Sequence, residues 1–162
     1  MLQSTEFMRN TSLVAIALAA FLAAGIPVLA QIAPGDTGAG VERGVQQLDQ
    51  SGQVGTVTLF NSGATTRVVL NIKGVPSGRV ESAHIHRGKG CDPGQVDPKP
   101  VYPLSNVSNG QSSTVVHATE DKLLSGNYVV IVHAGNMSEM HGMMMPSKAA
   151  EKYMACGYLY RS

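Results

Sequence analysis

Apolar residues fall along this chain in two textures. The first, Leu13 to Ile26, is nearly unbroken and rich in Ala and Leu. It is shorter than the roughly 20 residues needed to span a bilayer. Arg9 supplies a positive flank, and Val28-Leu29-Ala30 places short side chains ahead of a cut after Ala30. This is the layout of a secretory signal peptide over residues 1–30, with an uncleaved membrane anchor as the alternative. Once the signal is removed no membrane-spanning segment is expected, and the protein is expected to be exported, either periplasmic or secreted.

The second texture begins at Gln53. Short β-branched runs recur: 53–60 (QVGTVTLF), 65–72 (TTRVVLNI), 79–86 (RVESAHIH), 112–120 (SSTVVHATE), 127–134 (NYVVIVHA) and 155–161 (ACGYLYR). Turn residues separate them, with Gly and Pro at 73–78 and a Gly/Pro/Asp-rich loop at 87–100. This pattern predicts an all-β sandwich or barrel. One helical turn is expected at 146–153, where Pro146 suits a first turn ahead of Ala149 and Ala150. Residues 31–52 hold few large apolar groups and several Gly, so they read as a flexible lead-in.

Length and charge narrow the field. The chain has 162 residues with a formal net charge of +1, which suits one folded domain and argues against nucleic acid or acidic membrane surfaces as partners. With no Trp and few aromatic residues, the core is expected to be aliphatic. Cys91 and Cys156 are the only cysteines. In an exported protein they are expected to form one disulfide, worth about 4 kcal/mol for so long a loop. Two buried thiols or two thiolate metal ligands are the alternatives.

The histidines and methionines carry the candidate chemistry. His84 and His86 are two apart in a strand-like run, so they share a face, about 7 Å apart at the backbone. His133 closes an apolar strand in step with Val129 and Ile131, and an antiparallel neighbour can bring it beside the pair. Three neutral imidazoles suit copper or zinc. The bland alternative is that they are ordinary surface histidines. His117 and His141 are possible additional contacts. Of eight Met, six lie between 137 and 154: Met137, Met140, Met143, Met144, Met145 and Met154. Thioethers are soft donors suited to Cu(I), which makes Met140 and Met143 further candidates. The alternative is that these Met fill irregular apolar space.

Three motifs in order resemble bacterial-type copper/zinc superoxide dismutases. They are His84-Ile85-His86 with Cys91 five residues on, Val132-His133-Ala134-Gly135-Asn136, and Ala155-Cys156-Gly157. The resemblance covers roughly 53–162 as one β-barrel domain. It implies an Ig-like Greek-key barrel of about eight antiparallel strands. It also implies His84, His86 and His133 as copper ligands and Cys91–Cys156 as the disulfide.

The likeness stops at two places. The family's bridging His and zinc ligands should follow Cys91, yet no His lies between Cys91 and Val116, so copper is implied without zinc. The family's anion-guiding Arg falls at Tyr153; Lys152 is one step out of register, and Arg87, Lys89 or Lys148 are the remaining cations. Two functions are therefore weighed: dismutation of superoxide at a His-ligated copper, and non-catalytic copper binding or delivery using the His set and the Met-rich loop. A third, a structural domain of the CHRD type, shares the His-x-His run but lacks the Ala-Cys-Gly ending.

Overall fold

The computed structural model describes residues 35, 36, 38–135 and 152–160. The expected signal peptide, the helical turn through residue 151, and the Met-rich segment with His141, Met140 and Met143 lie outside the described residues.

The regular secondary structure of the described residues is almost entirely antiparallel sheet. In chain order it forms β1 (Val41–Gln47), β2 (Val54–Ser62), β3 (Thr65–Lys73), β4 (Val80–Glu81), β5 (Ala83–Gly88), β6 (Val96–Pro103), β7 (Val107–Ser108), β8 (Gln111–Val116), β9 (Tyr128–His133) and β10 (Tyr153–Tyr158). A short 3-10 turn, Pro93–Gln95, precedes β6, and one helix, α1 (Glu120–Ser125), joins β8 to β9. The sheet order is β4-β7-β8-β3-β2-β1-β10-β9-β5-β6. β4 and β5 stand near opposite ends of that order, yet only Ser82 separates them in sequence. The sheet therefore curls back on itself, and if β4 and β5 count as one bent strand the ring has eight staves. Links from β3 to β4 and from β8 to β9 skip neighbours, giving the Greek-key path.

Tight turns set the hairpin registers. Asn109 and Gly110 link β7 to β8, both with positive φ (50° and 78°), as a two-residue hairpin turn requires. Inside the barrel lies the larger cluster, with Val57, Leu59, Leu70, Ile85, Val130, Val132 and Leu159 among its fully buried members. A smaller cluster lies on the outer face of β9 and β10: Cys91, Val96, Val129, Ile131 and Cys156.

Three local expectations fail. The supposed lead-in holds β1, which pairs with both β2 and β10. Ahead of it Asp36 forms an ion pair with Arg67 and accepts a hydrogen bond from Ser62 Oγ at 2.9 Å. A strand between two partners is held by its backbone ladder, so β1 needs little apolar content beyond buried Val45. The loop expected at 87–100 contains most of β6, an edge strand whose Pro98, Pro100 and Pro103 cannot donate to a further strand. The run expected to stay extended through 120 ends at Val116. There Thr119 caps α1, its Oγ1 accepting from Lys122 N at 3.2 Å, and Leu123 anchors the helix in the core.

The disulfide forms as expected, and no described cysteine is free. Cys91 and Cys156 are 5.8 Å apart at Cα and 65 residues apart in sequence. The bond fastens the segment after β5 to β10. Changing both Cys91 and Cys156 to Ser is expected to cost about 4 kcal/mol in urea unfolding; a loss below about 1 kcal/mol would show that the bond constrains little.

Candidate metal centre

The centre follows from strand alternation on two neighbours. In β5, Ala83 and Ile85 face the barrel core, so His84 and His86 face outward. In β9, Val130 and Val132 face the core, so Val129, Ile131 and His133 face outward. The register pairs His84 with Ile131 and His86 with Val129, which sets His133 one step beyond the pair. Ring centroids are 5.8 Å apart for His84 and His86, 5.1 Å for His84 and His133, and 5.6 Å for His86 and His133. One nitrogen from each ring lies within 4.8 Å of the others.

This outer face is nevertheless dry. The three histidines are 8%, 2% and 7% exposed. Burial disfavours the imidazolium, and neighbouring rings add repulsion. His84 is lowered from its ordinary value by burial and then by His86. His133 is pushed down to about 3 by burial, then by His84 and His86. For His86 burial also wins, over an opposing hydrogen bond and charge at Asp97. All three rings are therefore neutral at pH 7, the form that binds metals.

Each of the three rings has one buried nitrogen with no hydrogen-bond partner: His84 Nδ1, His86 Nε2 and His133 Nε2. Unpartnered buried polar atoms are costly, and a cluster of three such imidazoles could be satisfied by one metal ion. His86 Nδ1 sits 2.8 Å from the Asp97 carbonyl. That carbonyl can only accept, so Nδ1 carries the proton and Nε2 presents its lone pair to the centre. The donor set can hold one metal ion of the kinds imidazole favours and leaves coordination positions open.

Tyr153 walls one side. It pairs in register with His133, its ring 5.2 Å away and nearly perpendicular, and 6.4 Å from His86. A register shift between Tyr153 and Ala155 sets this end of β10 apart from the regular ladder. Lys152 pairs with Asp49 at 2.8 Å on the exposed surface. Arg87 lies 5.6 Å over the Tyr128 ring and, with Lys89, lines an open pocket. His117 is exposed in the bend after β8 and stands apart from the centre, because β8 pairs with β3 and β7 rather than β5 or β9. The Asp97 carbonyl escaped the sequence reading because a backbone acceptor has no residue signature.

No family model, curated protein or solved structure matches this chain. The likeness to the dismutases rests on the three motifs alone.

The lowered imidazoles give the metal-free protein a pH dependence. Below about 6.5 the unfolded chain takes up protons that the folded centre refuses, so stability falls as pH falls. His133 alone contributes about 1.4 kcal/mol per pH unit well below 6.5, until its folded value near 3 is reached. Urea unfolding between pH 7 and 5 should show this slope, and His133→Gln should flatten it. An unchanged slope in the variant would mean that His133 is not held neutral.

Proposed function

We propose that the chain is an exported copper protein that holds one copper ion on His84, His86 and His133 and dismutates superoxide there. The observation that carries this reading is the convergence of three neutral, buried imidazoles, each with an unpartnered nitrogen. The motif resemblance selects copper among the metals imidazole binds, and no His lies between Cys91 and Val116, where the resembled family has its bridging and zinc-binding histidines. Copper at this centre supplies one-electron chemistry: two superoxide ions and two protons become oxygen and hydrogen peroxide. The chain itself orients the ligands. Asp97 holds His86 in one tautomer, β9 presents His133, and Tyr153 covers one flank of the rings. The apolar run after Arg9 and the disulfide both support export to an oxidising compartment.

Copper capture and handover without turnover is the second reading. Tyr153 stands where the resemblance places a guiding cation, and Lys152 is engaged with Asp49. Six clustered methionines add soft donors nearby in sequence.

Copper loading and superoxide decay separate these readings. One copper per chain is expected, lost in His84→Ala and His133→Ala, with decay well above that of the two variants. Stoichiometric copper with background decay would leave binding alone; no copper would overturn both readings. Replacing Met143, Met144 and Met145 together by Leu is expected to weaken Cu(I) about tenfold while sparing Cu(II). Equal effects on both ions, or none, would show that these side chains only pack.

A further inference from the structure

One buried acid has no role in the centre described above. Glu81 is 0% exposed, and so is Gln53, whose Nε2 donates to Glu81 Oε1 at 2.9 Å. Gln53 immediately precedes β2, and Glu81 ends β4. Three strands separate them in either direction around the ring, so this hydrogen bond crosses the barrel interior. The other oxygens of the pair, Glu81 Oε2 and Gln53 Oε1, are buried without partners. Among the described residues no Lys or Arg forms an ion pair with Glu81. Asp36, whose side chain is also largely shielded from solvent, has Arg67.

A buried carboxylate without a cation is costly, unless a positive charge lies close enough to offset the lost hydration. Such a charge has a place nearby. Glu81 precedes His84 by three residues, about 10 Å along an extended backbone. The next residue, Ser82, accepts from His133 N at 2.9 Å and donates to the Gly135 carbonyl at 2.9 Å. Glu81 is thus one residue from the backbone contact that seats His133. The three imidazoles are neutral, so they leave the charge of any bound ion uncompensated.

We propose that Glu81 is the internal counter-charge of the metal centre, favouring a divalent over a monovalent ion on His84, His86 and His133. This rests on the copper reading above. A carboxylate acts on charge at a distance, so its effect scales with the charge of the ion. Glu81 falls in step with the inward Ala83 and Ile85 while the imidazoles face outward, so carboxylate and ion are separated by the thickness of the sheet as well as by that backbone span. At about 13 Å and an effective dielectric near 20, one extra unit of positive charge still changes affinity on the order of tenfold.

Glu81→Gln tests this, because the amide keeps an acceptor for Gln53 Nε2 and removes only the charge. Cu(II) and Cu(I) affinities are measured separately on the full protein by chelator competition, beside wild type and His84→Ala. Cu(II) binding is expected to weaken on the order of tenfold more than Cu(I) binding. The metal-free variant is expected to melt no lower than wild type, since a neutral amide suits the dry site at least as well. Equal losses, no loss, or failure of the variant to fold would each overturn the counter-charge role. Failure of the copper reading looks different: wild type itself would take up no copper that His84→Ala abolishes.

Discussion

The register between β5 and β9 is the constraint on which the centre depends. Side chains on a strand alternate faces, so a slip of one residue would turn His84 and His86 into the barrel and drive Ala83 and Ile85 out. The core resists that slip because the inward set is apolar and fully buried. The same packing that closes the barrel therefore aligns the histidines, and folding and ligand placement are one event. β9 carries the constraint furthest: all six of its residues are buried, three against the barrel core and three under an outer cover.

That cover explains how an outward face becomes dry enough to hold neutral imidazoles. The segment after β5 folds back over the outer faces of β9 and β10. Lys89 N donates to the Gln95 carbonyl at 3.1 Å, and Tyr160 Oη donates to the Lys89 carbonyl at 2.9 Å. The disulfide then fastens Cys91 to β10. From the same segment comes the Asp97 carbonyl that orients His86. The loop thus does two things at once: it excludes water from Val129 and Ile131, and it fixes one ligand's tautomer. Neither works if the segment floats, which gives the disulfide a part in the centre as well as in the fold.

What was legible in the sequence follows physical lines. Alternation is a local rule, so the shared face of His84 and His86 and the phase of His133 with Val129 and Ile131 could be read directly. Pairing by cysteine count was equally accessible, since two cysteines allow one disulfide. Contributions made by backbone were not. β1 looked like a lead-in because its stability comes from ladders to β2 and β10, and α1 was missed because six residues are too few to display a helical period. Glu81 was hidden for a different reason. An acid in a strand ordinarily marks a solvent face, and only the closed ring brings Gln53 across to meet it.

Charge is where this centre departs most from a site built to attract anions. Its rings are neutral, its nearest aromatic wall is Tyr153, and Lys152 is held by Asp49. A diffusing anion is guided by the field of fixed cations, and that field is weak when the cations are paired or stacked elsewhere. The ion in the centre would then be the main positive charge an anion meets. A buried carboxylate at Glu81 would stabilise that charge while weakening its reach, favouring retention of the ion over capture of an anion. Uptake of the metal and turnover at the metal thus place opposite demands on the same field. In this chain the buried residues lean towards holding an ion over attracting an anion, and the imidazole nitrogens without partners mark where one could be held.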